Sequence, residues 1–168
     1  CIRDSTFAVN AVGGTDSCSF SVTVIDNEAP TITCPANISV NNDAGLCSAV
    51  VTYAAPAGTD NCPGASTAQT AGLASGTAFS VGVTTNTFAV NAVGGTDSCS
   101  FTVTVIDNEA PTITCTSTIS VNNDAGLCSA VVSYTAPVGT DNCPGASTSQ
   151  TAGLASGTAF PVGTTTNT

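Results

Sequence analysis

The chain has 168 residues, 42% of them hydrophobic, which is enough material for one or two small domains. Its formal net charge is −10, because a single Arg faces eleven Asp and Glu residues. Such a polyanion repels nucleic acid and anionic membrane surfaces because it cannot neutralise phosphates, so neither is an expected partner. No apolar run approaches the roughly 20 residues that a membrane-spanning helix needs.

The cysteine content indicates an oxidising compartment. Nine cysteines are present, and disulfides form and persist mainly in extracellular proteins. A zinc site built from thiolates is the rival interpretation, but the chain has neither a CxxC pair nor a histidine. The expected localisation is therefore extracellular, either secreted or at the cell surface.

The chain repeats itself with a period of 81 residues. Residues 7–87 overlay residues 88–168 with ten differences, and such long periods predict tandem modules. The segment TFAVNAVGGTDSCSFSVTVIDNEAP at residues 6–30 returns almost unchanged at 87–111, where it closes a block of sequence. At its first appearance almost nothing precedes it. The repeat therefore predicts that the chain begins with the end of a module.

Strand signals follow one another along each block. Short alternating runs of Val, Ile, Thr and Phe, bounded by Gly, Pro, Asn and Asp, predict β-strands, and no segment has a helical period. The expected strands of the first full block lie at 31–40, 47–55, 65–71, 77–81, 88–93 and, after a turn at 94–98, 99–105. Each has one apolar face. About six such strands in roughly 80 residues predict a β-sandwich.

The repeat and the folded module are out of phase. We expect a complete sandwich at residues 27–107 and a second, lacking its last two strands, at 108–168. Residues 1–26 then correspond to the last two strands of a module. The predicted fold class is all-β: tandem sandwiches, with one complete module and two complementary partial modules.

Five ordered markers carry a family resemblance. Together they resemble the hyalin repeat, or HYR module, an immunoglobulin-like extracellular domain, and the resemblance covers nearly the whole chain. It implies a secreted, tandemly repeated adhesive or structural protein, related to a calcium-dependent extracellular coat, and it implies no catalytic residues. The chain departs from the family pattern in carrying one whole module and two parts. The markers are DNEAPTITCP (26–35), AGLCSAVVTY (44–53), TDNC (59–62), GTAFSVG (76–82) and CSFTVTVID (99–107).

The immunoglobulin-like strand order that this resemblance implies leads to a disulfide prediction. Cys34 and Cys99 would point inward at the same end of neighbouring strands, so we predict that they are bonded. Cys47 would lie at the opposite end from Cys62, roughly 25 Å away and beyond disulfide reach. Two alternatives stay open for Cys47: a bond to Cys143 of the following module, or a different strand layout with a Cys47–Cys62 bond.

Two further cysteines are expected to bond between chains. Cys115 is the repeat equivalent of Cys34, but the sequence contains no later cysteine equivalent to Cys99 that could bond it. We therefore predict a bond from Cys115 to Cys18 of a second chain. Cys1 has three open interpretations. It is the lipid-bearing first residue of a processed bacterial lipoprotein, the site of an intersubunit disulfide, or an accident of where the sequence was cut.

Carboxylates gather at the predicted junctions between modules. Hard oxygen ligands between sandwiches suit a calcium ion that stiffens the linker. The alternative is turn capping, in which Asp and Asn bond their own backbone, and we favour it for Asp16 and Asp97. The candidate calcium ligands are Asp107, Glu109, Asp141 and Asp43 at one junction, and Asp26, Glu28 and Asp60 at the equivalent junction upstream.

The sequence also contains a candidate modification site. Asn37, Ile38 and Ser39 form an N-glycosylation sequon that is lost at Thr118 in the second repeat. Glycans are therefore further candidate partners. The dense Ser and Thr of the outward positions have β-propensity and solubility as their simplest role.

We expect a structural function. Residues 5–26 of one copy would complete the unfinished sandwich 108–168 of a neighbour, giving a head-to-tail homopolymer and an extracellular fibre. The alternative is an excerpt of a long single-chain array acting in cell adhesion or an extracellular matrix. Catalysis is not expected, because without His or Lys the chain has no ready base or activated nucleophile. The donor side chains would be Phe7, Val9, Phe20, Val22 and Val24.

Overall fold

The computed structural model describes residues 2–168, with side chains from residue 6 onward, so Cys1 and its interpretations lie outside the described residues. Every regular element in 2–168 is a β-strand, which confirms the all-β prediction. None of these residues forms a helix of the length and apolar character that crossing a membrane requires. The strands are β1 Ile2–Ala11, β2 Gly14–Thr23, β3 Ile38–Asn41, β4 Ser48–Val51, β5 Ser66–Ala71, β6 Thr77–Ser80, β7 Gly82–Ala92, β8 Gly95–Ile106, β9 Thr112–Ile113, β10 Ser129–Val132, β11 Gly139–Thr140 and β12 Thr158–Pro161.

The chain divides into two compact units. The first contains the residues up to Ile38 together with Thr52–Gly76 and Thr84–Val103. The second contains Ser39–Val51, Thr77–Val83 and Thr104–Thr168. The boundaries predicted from the repeat, at 26/27 and 107/108, stay a prediction.

The first full block of sequence forms two sheets with alternating burial. A four-stranded sheet has the order β3-β8-β7-β5, and β4 pairs with β6. Along β8, Phe101, Val103 and Val105 are buried while the intervening Thr residues are half-buried. Phe79 of β6 is fully buried as well. Because successive side chains of a strand point to opposite faces, each sheet has one core-facing side, as in an immunoglobulin-like sandwich.

An aromatic cluster lies in the core of the first unit. The ring of Tyr53 packs edge-on against Phe101 at 5.0 Å and Phe88 at 6.3 Å between centroids. Its hydroxyl donates a 2.6 Å hydrogen bond to the carbonyl of Leu73. The buried tyrosine therefore satisfies its polar group while its ring fills the core.

Two strand predictions are corrected. The expected strand at 31–40 is interrupted: Thr31 makes an isolated bridge to Thr59, and β3 begins only at Ile38. Pro35 lies in the gap, and a proline has no N–H to donate to a sheet ladder. The expected turn at 94–98 is also wrong, because β8 begins at Gly95 and leaves a two-residue turn of Val93 and Gly94.

The second block keeps some strands and lacks others. Strand β10 pairs with β12 and β9 with β11, as expected from the first block. Residues 119–122 and 147–152, the repeat equivalents of β3 and β5, are not strands. In the first block β3 pairs with β8 and β5 with β7. A strand whose hydrogen-bonding neighbour is missing loses the bonds that hold it extended, which explains the difference.

Candidate assembly site

The hairpin β1–β2 exposes the side chains that its repeat equivalent buries. It is a separate two-stranded sheet, with Phe7 opposite Cys18 and Ile2 opposite Thr23. The five predicted donor side chains are 52–77% exposed, whereas their equivalents in β7–β8 are at most 5% exposed. The donor residues are Phe7, Val9, Phe20, Val22 and Val24, and the buried equivalents are Phe88, Val90, Phe101, Val103 and Val105.

The exposed hairpin already has the geometry of the buried one. The rings of Phe7 and Phe20 stack with centroids 5.8 Å apart and an interplanar angle of 5°. Phe88 and Phe101 stack in the same way at 6.4 Å and 14°. Aromatic cross-strand pairs contribute directly to the stability of a hairpin, and the same pair is present in both.

The apolar side chains of the second block are more exposed than their equivalents in the first. Ile113 is 53% exposed, whereas its equivalent Ile32 is 9% exposed, and Phe160 is half-buried where Phe79 is fully buried. A cleft of about 530 Å³ is lined by residues that include Ile113, Gly139 and Thr148.

In the first block, the place equivalent to this cleft is filled by the side chain of a valine. The Gly58 amide donates to Thr67 Oγ1 at 2.8 Å, and the Gly139 amide donates to Thr148 Oγ1 at the same distance. A methyl group on Gly58 would meet Val90 at 2.5 Å. The cleft beside Gly139 is therefore the place that the repeat assigns to a valine of a β7-like strand.

A second site in the second unit joins a turn of the first block to a loop of the second. Cys47 and Cys143 form a disulfide with a Cα–Cα distance of 4.7 Å. The Asn142 side-chain amide donates to the Leu46 carbonyl at 3.1 Å. Glu109 Oε1 accepts a 2.7 Å hydrogen bond from the Gly45 amide. We call this set the Cys47–Cys143 junction.

The structure decides between the alternatives left open for Cys47. Cys47 bonds Cys143, and Cys62 is a free thiol. Cys34 and Cys99 also form a disulfide, with their Cα atoms 5.6 Å apart. The disulfides indicate an oxidising, extracellular environment.

The free cysteines have distinct surroundings. Cys18 and Cys115 are exposed free thiols, so their bond to a second chain stays a prediction. The pKa of Cys62 is raised, first by the hydrogen bond between its thiol and Asp26, then by desolvation, and then by the negative charges of Asp26, Asp60 and Glu28. Its thiolate is therefore less populated than that of an ordinary cysteine.

The junction carboxylates accept hydrogen bonds from backbone amides. Asp43 accepts from Val50 at 2.9 Å, Asp107 from Glu109 at 3.2 Å, and Asp141 from Asn142 at 2.8 Å. Among residues 2–168 no group of three or more His, Cys, Asp or Glu residues is arranged to hold a metal ion. Calcium stays a prediction, and the contacts present are those of turn capping.

The other predicted polar sites are placed as follows. Asp16 and Asp97 each accept a 2.8 Å bond from the next backbone amide, as in a turn. Asn37 is exposed, and its side-chain oxygen accepts a 2.9 Å bond from the Thr102 amide. That bond leaves the side-chain nitrogen, to which a glycan attaches, uninvolved, and glycosylation stays a prediction.

Asn86 is a structural residue that the sequence analysis missed. It is fully buried, and its side-chain oxygen accepts from the Leu73 amide at 2.8 Å and from Gln69 Nε2 at 3.2 Å. Gly72, at φ 89°, lies against Asn86, where a side chain would collide with it. The signal was present, because Asn86, Phe88 and Val90 share one face of an alternating strand.

These features define an extracellular-type, disulfide-bonded repeat protein built from immunoglobulin-like sandwich modules. The sequence model of the HYR domain matches residues 25–105 and 106–168, and the chain belongs to the HYR domain family. The resemblance noted in the sequence is thereby confirmed. The chain is also 36% identical over 165 residues to Hyalin from Strongylocentrotus purpuratus, covering 95% of this chain but 14% of that protein. No solved structure matches the chain significantly.

Proposed function

We propose that this chain is a structural subunit of an extracellular fibre, in which the hairpin of one copy completes the unfinished sandwich of the next. Residues 5–26 of one copy would dock on a neighbouring copy and add the last two strands to its residues 108–168. One observation carries the proposal: nearly the same hairpin sequence is exposed in β1–β2 and buried in β7–β8. The proposed role is structural, without a catalytic step.

The registers of donor and acceptor are compatible. Thr168 is the repeat equivalent of Thr87, and Phe7 is the equivalent of Phe88, so the donor resumes the pattern at the next position. The docked hairpin would pair with residues 119–122 and 147–152, which would then become strands like β3 and β5. It would also bring Cys18 beside Cys115, as Cys99 lies beside Cys34.

Burial of the donor supplies a driving force of the right size. Five apolar side chains at about 1.5–3 kcal/mol each give roughly 7–15 kcal/mol as an upper bound. Association costs about 4–15 kcal/mol in lost freedom of motion. Because these ranges overlap, the added strand pairing and the Cys18–Cys115 bond would decide how stable the fibre is. Contacts that repeat without closing a ring produce an open filament.

A second candidate is supported by the similarity to Hyalin. The chain covers 14% of that protein's length, so the same two strands can be supplied within one polypeptide by a following module. In that case the chain acts as part of a long HYR array in adhesion or an extracellular matrix.

Two glycines allow a test in which each variant keeps its own fold. A methyl group on Gly94 would overlap the carbonyl oxygen of Glu28, whereas Gly13, its equivalent in the exposed hairpin, has nothing within 4 Å. Gly13→Ala should therefore leave the free chain intact and block donation, because the docked residue would collide with the Glu109 carbonyl. Val12→Ala is the matched control, since Val12 is fully exposed and its equivalent Val93 is 78% exposed.

Gly139→Ala should block the acceptor in the same way, because the cleft beside it would receive Val9. The added methyl group would lie 3.3 Å from Thr112 and Thr148, so a thermal melt should check that this variant keeps its fold. Negative-stain microscopy and sedimentation of the 168-residue protein should show filaments for the parent and for Val12→Ala, and monomers for each glycine variant. A mixture of the two variants should stop at dimers. A stable monomer of the parent protein would contradict strand donation between chains.

A further inference from the structure

Two of the free thiols are the repeat equivalents of a bonded pair. Cys128 corresponds to Cys47, and Cys62 corresponds to Cys143. Cys47 and Cys143 are joined in this structure, whereas Cys62 and Cys128 are both free. Cys62 in the first unit and Cys128 in the second are therefore two halves of a further junction of the same kind, and each lacks its counterpart.

The Cys128 turn already has the conformation of the bonded turn. The sequence NNDAGLC occurs at both 41–47 and 122–128. The Asn123 side chain donates to the Leu127 carbonyl at 2.8 Å, as Asn42 donates to Leu46 at 2.9 Å. Leu127 is 56% exposed and available at the surface. Docking of this turn would need no refolding.

The surface around Cys62 has acceptors without donors. Asp26 accepts from the Glu28 amide at 3.2 Å, as Asp107 accepts from Glu109 in the occupied junction. However, both carboxylate oxygens of Asp60 are buried without a hydrogen-bond partner. Buried acceptors that lack donors are costly, so this surface is not satisfied within its own chain. This observation does not depend on the cysteines.

We propose that the Cys128 turn of one copy docks on the Cys62 surface of a second copy and that the two thiols form an intermolecular disulfide. The expected polar contacts follow those of the occupied junction. Glu28 would accept from the Gly126 amide, and the Asn61 side chain would donate to the Leu127 carbonyl. The inference rests on the proposed head-to-tail assembly and adds a covalent bond to it.

The spacing is the one that the proposed head-to-tail assembly gives. Cys47 and Cys143 are separated by 96 positions. Counting from Cys128 to Thr168, and on from Phe7 of the next copy, reaches Cys62 after the same 96 positions. The head-to-tail register in which the hairpin completes the sandwich therefore also places these two thiols together.

Bond formation needs an oxidant, which a small-molecule disulfide such as oxidised glutathione supplies. The Cys128 thiolate attacks one glutathione sulfur, forms a mixed disulfide and releases one glutathione thiolate. The Cys62 thiolate of the next copy then attacks the Cys128 sulfur and releases the second. The two protons lost by the cysteines are taken up by the two glutathione thiolates, so one disulfide is reduced for each one formed. The raised pKa of Cys62 favours Cys128 as the first nucleophile.

The test uses the 168-residue protein with Cys1, Cys18 and Cys115 changed to Ser, so that other links between chains are removed. It is incubated in a glutathione redox buffer and analysed by non-reducing electrophoresis and by mass mapping of linked peptides. We expect a ladder of covalent oligomers containing a Cys62–Cys128 peptide pair. Cys62→Ser and Cys128→Ser should each abolish the ladder, and an equimolar mixture of the two should give covalent dimers and nothing larger.

Each other outcome has a defined meaning. Filaments that form under reducing conditions, without a Cys62–Cys128 bond on oxidation, would overturn this inference and leave strand donation standing. A protein that does not associate in either buffer would contradict both this inference and the proposed strand donation. A Cys62–Cys128 bond within one chain, or one that forms only when two copies are fused in tandem, would overturn the assignment of a second copy. Unchanged melting temperatures of the reduced Ser variants would show that loss of the ladder is not misfolding.

Discussion

The hairpins β1–β2 and β7–β8 have nearly the same sequence and opposite environments. From Phe7 to Asp26 they differ only at Ser21, which is Thr102 in the second copy. Phe20 is 54% exposed, whereas Phe101 is 2% exposed. Both pairs of Phe rings stack in the same way. The same sequence therefore forms the same hairpin in both environments, and burial depends on whether the rest of a sandwich is present to receive it.

The largest difference in the free energy of unfolding should come from replacing equivalent phenylalanines of the two hairpins by alanine. Phe101→Ala should lower the free energy of unfolding by about 3–5 kcal/mol, because it opens a cavity in a closed core. Phe20→Ala should cost less than about 1 kcal/mol, since the side chain is exposed. Urea unfolding followed by tyrosine fluorescence, in a Gly13→Ala background that prevents assembly, would measure both. Equal losses would contradict the contrast between the hairpins.

The disulfide that closes the complete sandwich should matter almost as much. Replacing Cys34 and Cys99 by Ser removes a link across 65 positions and should cost about 4 kcal/mol, mainly by releasing the unfolded chain. Cys115→Ser, the equivalent change in the incomplete block, should be nearly neutral because Cys115 is free and exposed. Thermal melts of the unassembled protein would compare the two. A melting temperature unchanged by the double substitution would exclude a stabilising Cys34–Cys99 bond.

A smaller contrast is expected between two equivalent asparagines. Asn86 is fully buried and accepts from the Leu73 amide, whereas Asn167 is exposed and accepts from the Leu154 amide at the same 2.8 Å. Asn86→Ala should cost about 1–3 kcal/mol because it empties a fully buried site and removes the acceptor of the part-buried Leu73 amide. Asn167→Ala should cost less than about 1 kcal/mol, since water replaces the lost acceptor. Loss of hydrogen-exchange protection at the Leu73 amide would locate the effect.

Calcium should have the smallest effect, confined to the Cys47–Cys143 junction. A calcium concentration of ten times the dissociation constant of a single site raises the free energy of unfolding by about 1.4 kcal/mol. Thermal melts with millimolar calcium, and with chelator as control, would detect it. Asp107→Asn combined with Asp141→Asn should remove the response. An unchanged midpoint in the parent protein would leave turn capping as the role of these carboxylates.

Most of the fold was predictable because strand faces follow from local alternation. The inward positions of Phe79, Phe101 and Val103 could be read from a period of two. The continuous strand at 31–40 was wrong because a periodic pattern does not register the missing donor of Pro35. Roles that depend on approach between distant segments were not accessible. No local pattern shows that Gly94 lies against the Glu28 carbonyl, or that Glu109 accepts from Gly45.

By itself the sequence determined the 81-residue period, the all-β class, the apolar face of each strand and the hairpin at both of its positions. These properties depend on neighbours along the chain and on the pleat of a strand. The tertiary structure decided which hairpin is buried, that Cys47 bonds Cys143 rather than Cys62, and that the junction carboxylates hold backbone amides. Those outcomes depend on distances between segments far apart in sequence, and two nearly identical stretches of chain can differ in them completely.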